Sequence, residues 1–323
     1  MANYLVTGAA GFIGAATSQI LLDQGHTVTG IDNMNDAYDP KMKEYRLEKL
    51  KNQKGFTFHR VDISVKEIIN LYEGQKFKGV IHLAARAGVR FSVDNPWSFI
   101  DSNVTGTLNM LEICRRTGSG TFILASTSSI YGANPPYPTP ETASSSEPLQ
   151  PYAASKKGAE AMTHAYHHLY GMNTNVLRFF TVYGPAGRPD LALFRFVQWI
   201  IEGRPVHIFG DGNQSRGFTY IDDIVRGIVS ALQPLGHSII NLGGHEVITI
   251  NNLVTLIEDI TGKKARVIHG PANQADMFTN WADVTKAREI LGWSPEYDMR
   301  QGTEKLVEWY LKERAWANKV LTL

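Results

Sequence analysis

An α/β fold built on a doubly wound parallel sheet, with a smaller and mostly helical region attached, follows from three features of the 323-residue sequence. Short β-branched runs alternate with longer helical patterns through the first 180 residues. A glycine-rich turn separates the first run from the first helical pattern. After residue 180 the alternation gives way to loop-rich stretches and helices. Alternation predicts parallel strands covered on both faces, because each crossover between parallel strands lays a helix on the sheet.

The segments YLVT (4–7), TVTGI (27–31), FTFHRV (56–61), GVIHLA (79–84), TFILAS (121–126) and TNVLRF (174–179) read as strands. FIGAATSQILLDQG has apolar residues at helical spacing and stops at Gly25, a residue that tolerates the left-handed turn ending a helix. PWSFIDSNVTGTLNMLEICRR and PYAASKKGAEAMTHAYHHLYG read as helices, the second opened by Pro151 and closed by Gly171. YGPAGRPD, IFGDGNQSRG and GPANQADMF are the loop-rich stretches. Residues 1–180 are therefore expected to form one domain and 181–323 a second region. Residues 219–242, within the stretch from FTYIDDIVRGIVSALQ to SIINLGG, are expected to return to the first domain.

Composition narrows the function. Lys plus Arg number 32 and Asp plus Glu 31, which leaves no electrostatic footprint for nucleic acid or an anionic membrane. Cys114 is the one cysteine, which excludes an internal disulfide framework and a cysteine-rich zinc site. The ten histidines are scattered without an HExxH pair, so no metal is expected. The stretch MANYLVTGAAGFIG has no signal-peptide pattern, and no apolar run approaches the roughly 18–20 residues of a membrane span. A cytoplasmic protein is expected.

The turn LVTGAAGFIG places Gly8, Gly11 and Gly14 between strand and helix. Glycines let backbone approach a pyrophosphate, and the helix start then offers N–H donors and partial positive charge. The second strand ends in GIDN, where Asp32 would accept the adenosine ribose hydroxyls and repel a 2′-phosphate. This is the pattern of a Rossmann-like NAD domain. VDIS after the third strand places Asp62 where an acid can meet the adenine amine, or where a plain loop aspartate would stand.

A Tyr and a Lys four apart share one helix face, and the ammonium can lower the phenol from its ordinary value near 10. The sequence holds this spacing three times, as Tyr45/Lys49, Tyr72/Lys76 and Tyr152/Lys156. Only the third opens a helix after a hydroxyl-rich strand end, ILASTSSIYG, with Ser126, Thr127, Ser128 and Ser129. In a doubly wound sheet the carboxyl ends of the strands form the ligand crevice. Tyr152 and Lys156 are the expected catalytic pair, and the other two read as ordinary helix surface. Trp97, Phe179, Phe180, Trp281 and Trp293 read as packing.

TGAAGFIG, HLAA, STSSIYG, YAASK and RFFTVYGP resemble the extended short-chain dehydrogenase/reductase family across nearly the whole chain. HLAARAGVR, NPWSFIDSNVTGTLNMLE, LRFFTVYGPAGRPDLALFRF and FTYIDDIV resemble most closely its UDP-glucuronate 4-epimerases. The resemblance implies Tyr152 as base, Lys156 as holder of the nicotinamide ribose and Thr127 as partner of the reacting hydroxyl. It implies NAD contacts at Gly8, Gly11, Phe12, Ile13, Gly14, Asp32, Asn33, Asp62, Ile63, Leu83, Ala84 and Ala85. It implies UDP-sugar contacts at Thr127, Ser128, Ser129, Thr181, Arg188, Arg216 and Asp276. Arg216 would meet the nucleotide pyrophosphate, while Arg188 and the hydroxyls would hold a sugar carboxylate. Arg86, Gly217 and Ala275 stand where many relatives have Gln, Asp and Gly.

The implied reaction is NAD-dependent 4-epimerisation of a UDP-sugar, UDP-glucuronate to UDP-galacturonate in the first instance, with UDP-glucose or UDP-N-acetylglucosamine as alternatives. A 4,6-dehydratase would carry an Asp-Glu pair after Thr127, and a UDP-glucuronate decarboxylase a Glu at 129; Ser128 and Ser129 stand there instead. An intact Thr/Tyr/Lys set argues against a silent NAD-binding scaffold. The helices at 95–117 and 150–170 suggest a homodimer.

Overall fold

The computed structural model describes residues 1–271 and 279–322. Its first six strands are β1 (Asn3–Thr7), β2 (Thr27–Asp32), β3 (Phe56–Arg60), β4 (Gly79–His82), β5 (Thr121–Thr127) and β6 (Asn173–Phe179). They are followed by β7 (Thr181–Tyr183), β8 (Val206–Phe209), β9 (Ser215–Tyr220), β10 (His237–Leu242), β11 (Glu246–Thr249) and β12 (Val267–Gly270). Seven of them make one parallel sheet in the order β10-β6-β5-β4-β1-β2-β3. The chain begins at β1, winds outward through β2 and β3, then crosses back to β4. Carboxyl ends of β1 and β4 therefore diverge, and a crevice opens at this switch point.

Period-two alternation makes the sheet the divider of the core. Leu5, Val80, Leu124 and Val176 enter one apolar cluster, while Val6, Ile81, Ile123 and Leu177 enter the other. Helix Gly106–Arg116 covers the first face with Met110, Leu111 and Ile113. Helices Phe12–Asp23 and Ile221–Ser230 cover the second and pack on each other. Burial on both faces is why these strands read as unbroken apolar runs.

β10 pairs with β6, so SIINL lies in the main sheet, whereas FTY belongs to β9. β9 stands between β11 and β7 in a second sheet, and β12 pairs with β8. Past residue 180 the chain thus carries two small sheets besides its helices. The stretch 96–116 is not one regular helix: Trp97–Phe99 leads into a π-helical segment, Ile100–Thr105, before Gly106–Arg116. Helix Pro151–Tyr170 runs unbroken, with proline in its first turn and Gly171 at φ 64 closing it. Among the described residues no helix is long and apolar enough to cross a membrane.

Three packing expectations are corrected. Tyr72 is buried in the core against Phe77 and bonded to His59, while Lys76 lies exposed beyond the end of its short helix. Tyr45 is not plain surface either, since its ring meets Trp309 and Trp316 of helix Met299–Ala317. Both tyrosines take their places from partners distant in sequence. Trp97 is 78% exposed and Trp281 is 38% exposed, whereas Phe179, Phe180 and Trp293 are buried as packing.

Candidate active site

β1 ends in the glycine turn, and the turn's geometry requires glycine. Gly8 has φ 70, and a Cβ there would lie 2.9 Å from the Ala84 nitrogen. A Cβ on Gly14 would stand 2.0 Å from the Gly8 carbonyl oxygen. The turn is closed by Gly11 N–H donating to Gly8 O at 2.8 Å. Backbone can therefore reach a ligand at the start of helix Phe12–Asp23 with no side chain intervening.

At the end of β2, Asp32 Oδ1 accepts from Met34 N at 2.8 Å and from Lys43 Nζ at 3.2 Å, and Oδ2 from Ala10 N at 3.3 Å. Asn33 Nδ2 donates to Asp62 Oδ2 at 2.8 Å. Burial pushes the Asp62 carboxyl up, but bonds from Ser64 and Asn33 outweigh it and hold the group below the ordinary range. Asp62 lies behind Asn33 and is absent from the cavity wall.

That cavity, of about 830 Å³, joins both sets of expected residues. Gly8, Gly11, Phe12, Ile13, Gly14, Asp32, Asn33, Ile63, Leu83, Ala84 and Ala85 line it. So do Thr127, Ser128, Ser129, Tyr152, Lys156, Thr181, Arg188 and Arg216. Asp276 and Ala275 lie outside the described residues.

The four hydroxyls after β5 have four different partners. Ser126 Oγ donates to Glu160 at 2.6 Å. The Thr127 hydroxyl acts to lower the Tyr152 phenol, and its oxygen accepts from Ser129 N at 3.2 Å, capping the short helix Ser128–Tyr131. Ser128 Oγ accepts from Asn280 Nδ2 at 2.9 Å, and Ser129 Oγ accepts from Thr127 at 3.3 Å. All four residues line the cavity, and Ser126 also anchors a buried ion pair, Glu160–Arg178.

Lys156 does not lower Tyr152 as the spacing suggested. Burial pushes the Tyr152 phenol up, opposed by the Thr127 bond and the Arg188 charge. Lys156 Nζ donates to the Ala125 carbonyl at 2.8 Å, and its own pKa is lowered by burial to about 8, with Glu160 acting against the shift. At Tyr152 desolvation outweighs the lowering by Thr127 and Arg188.

Arg188 also has a partner that the sequence reading did not assign. Its Nε and Nη2 grip Asp190 at 3.1 and 2.5 Å, and its guanidinium lies 5.8 Å from the Tyr38 ring centre. Gly217 gains a reason as well. A Cβ there would sit 2.3 Å from Gly244 O, so β9 has no room for the aspartate of other family members.

Several contributors were missed. Asn103, in the π-helical segment, donates to Arg86 O at 3.0 Å and Ser155 Oγ at 2.9 Å, and accepts from Arg86 N at 2.9 Å. Ser155 Oγ in turn donates to Tyr152 O at 2.8 Å. His82 continues the buried network between Thr7, at 2.7 Å, and Thr107, at 3.1 Å. Lys43, Arg86, Arg195 and Asn280 line the cavity. Only the odd Arg86 left a signal in the sequence; the others look like ordinary helix or loop polar residues.

A glycine-turned parallel sheet with a Tyr–Lys pair and a threonine at its crevice defines an extended short-chain dehydrogenase/reductase. Within that class, the chain belongs to the GDP-mannose 4,6-dehydratase family, whose model matches residues 5–306. It is 50% identical over 312 residues, 96% of each chain, to the UDP-glucuronate 4-epimerase of Thermodesulfobacterium geofontis (strain OPF15). The UDP-glucuronic acid 4-epimerase of Bacillus cereus, solved with UDP-glucuronic acid and NAD, superposes with TM-score 0.90 at 35% identity, covering 96% of this chain and 99% of that one. The UDP-glucose 4-epimerase of Thermotoga maritima, solved with UDP-glucose, gives TM-score 0.89 at 32% identity, covering 97% and 99%.

Proposed function

We propose that this protein is an NAD-dependent UDP-sugar 4-epimerase that interconverts UDP-glucuronate and UDP-galacturonate. The observation that carries the reading is one cavity lined by Tyr152, Thr127 and the buried Lys156, whose adjoining positions 128 and 129 are hydroxyls and not carboxylates.

The glycine turn, Asp32 and Asn33 fit a dinucleotide: Gly8 and Gly14 let the turn fold tightly against backbone that a Cβ would strike, all of them line the cavity, and Asp32 stands at the β2 end, where the fold would place an adenosine ribose. NAD held there would supply reversible acceptance of the hydride from carbon 4 of the sugar. Tyr152 removes the proton of the 4-hydroxyl and later returns it, Thr127 orients that hydroxyl, and Lys156 holds the nicotinamide ribose. Ser128 and Ser129 bind without offering an acid–base pair for elimination.

Arg188 is assigned to the sugar carboxylate. Asp190 holds one edge of its guanidinium, which leaves the Nη1 side for a charge-assisted bond. Oxidation at carbon 4 of a glucuronate makes a β-keto acid, so a fixed carboxylate orientation also restrains loss of carbon dioxide. UDP-glucuronate, UDP-glucose and UDP-N-acetylglucosamine should be incubated separately and their products resolved. UDP-galacturonate is the expected main product of the first; a UDP-pentose in its place, or faster turnover of UDP-glucose, rejects the reading.

A homodimer is assigned to the face where Trp97 and Ile100 are exposed beside the small exposed residues Ala154 and Ala161 of helix Pro151–Tyr170. NAD and UDP-sugars are cytoplasmic metabolites, and the cytoplasm is the assigned location.

A further inference from the structure

Helix Lys41–Lys51 buries Arg46 to 4% exposure, and backbone carbonyls take most of its hydrogen bonds. Nε and Nη2 donate to Ala186 O at 2.9 and 2.8 Å, and Nη2 also to Gly187 O at 2.9 Å. Nη1 donates to the Tyr38 hydroxyl at 2.8 Å and to Ala10 O at 3.3 Å. The guanidinium carbon lies 5.8 Å from the Phe12 ring centre and 5.5 Å from that of Tyr38. Tyr38 in turn faces Arg188.

A buried guanidinium is costly unless its geometry is used, and an apolar side chain of similar size would pack the same space. Here the fork joins three segments far apart in sequence. Ala10 belongs to the glycine turn, Tyr38 to the loop after β2, and Ala186 and Gly187 lead into Arg188. Ala186 sits at φ 54, a conformation that a non-glycine residue adopts only when its surroundings hold it there. Two of the Arg46 donors hold its carbonyl.

We infer that Arg46 is a positioning residue that locks the glycine turn and the Ala186–Arg188 loop into one geometry, so that NAD retention and UDP-sugar affinity rise and fall together. The inference rests on the assignment of the Arg188 loop to the sugar site. Arg46 contacts neither ligand; it acts through Ala10 O on one side and through Ala186 and Gly187 on the other.

The test uses purified full-length enzyme with Arg46→Met, which keeps the stem, and Arg46→Lys, which keeps the charge but can serve only part of the fork. NAD(H) released on denaturation is measured per mole of washed protein. KM and kcat for UDP-glucuronate are measured with excess NAD added, and circular dichroism reports the fold. Loss of charged hydrogen bonds of this kind predicts about a tenfold or larger rise in KM and loss of most retained NAD, with kcat within about threefold. Adding Ala186→Gly to Arg46→Lys should recover KM several-fold, because glycine carries no left-handed penalty, which for other residues corresponds to about a 5- to 30-fold bias. A role in stability alone would lower Tm and leave NAD content and KM of the folded enzyme as in wild type. That result, or a change in only one of the two, overturns the inference. If Arg46→Met does not fold, Arg46→Lys with and without Ala186→Gly decides it. Arg188→Ala separates the readings: its NAD content should stay at the wild-type level, and if its selectivity between UDP-glucuronate and UDP-glucose is unchanged, the carboxylate assignment fails while the Arg46 result stands.

Discussion

Tyr152 is the proposed base; it is half-buried, and its environment has to overcome the burial that raises its pKa. Removing the hydroxyl alone, as Tyr152→Phe, leaves ring and packing in place. Turnover should fall at least about 10²–10⁴-fold with the circular dichroism unchanged. Tyr45→Phe loses bonds to Glu313 and Trp309 far from the cavity, so it should change Tm more than kcat. Equal damage to kcat from both substitutions would refute the assignment of the base. Arg188→Ala removes a cation and also strands Asp190, whose carboxyl burial pushes up and Arg188 holds below its ordinary range. A lone carboxylate there repels a glucuronate. The variant should lose kcat/KM on UDP-glucuronate by about 10- to 150-fold more than on UDP-glucose, the size of one charge-assisted bond. Equal losses on both sugars would leave a neutral-sugar epimerase as the better reading.

Elements hold these side chains through buried polar joints. The π-helical segment Ile100–Thr105 is one, because its widened turn presents Asn103 to both Arg86 and Ser155. π-Helical turns recur at functional sites for this kind of displacement. Asn103→Ala takes their partner from the part-buried Arg86 N–H and carbonyl and should cost about 1–3 kcal/mol, read by urea denaturation. The β4 joint is His82, which burial chiefly, and the charge of Lys156 secondarily, hold neutral down to about pH 3. Its pKa is depressed in the fold, so the unfolded chain binds the extra proton below its ordinary value near 6.5. Stability should therefore fall from about pH 6.5 toward pH 3, by up to about 1.4 kcal/mol per pH unit from this group. The slope in that window should flatten in His82→Gln; an unchanged slope removes the histidine from the acid response.

Across the whole molecule, the reaction returns its electrons to the substrate and consumes no reductant, so NAD should stay bound through purification. Denatured protein should release NAD(H), and tighter binding of NADP than of NAD would contradict the role of Asp32. Light scattering at micromolar concentration should give twice the 35.9 kDa chain mass, and a monomer would remove the pairing face around Trp97.

Much of this architecture was legible because its signals are local. Strand limits came within one or two residues where apolar runs end at glycine or at charge, as at Thr27 and Thr121. The glycine turn and the Tyr152–Lys156 spacing are each contained in a few residues of one element. Distant partners left no such trace. Tyr72/Lys76 has the same spacing as the catalytic pair, yet its tyrosine meets His59 and Phe77 in the core and its lysine falls past the helix end. The ion pair of Arg188 with Asp190 left no trace either, since aspartates two residues away are ordinary in loops.

By itself, then, the sequence determined the order of strands and helices, the dinucleotide turn and the residue types gathered after β5, since backbone propensity, periodicity and glycine's freedom act over short stretches of chain. Tertiary structure alone decided that burial raises the Tyr152 phenol, that Asp190 grips Arg188, and that Arg46 ties Ala10 to Gly187. The physical reason is that desolvation and hydrogen-bond geometry depend on what lies within a few ångströms, and those neighbours come from other segments of the chain, 36 residues away for Ala10 and 141 for Gly187 in the case of Arg46.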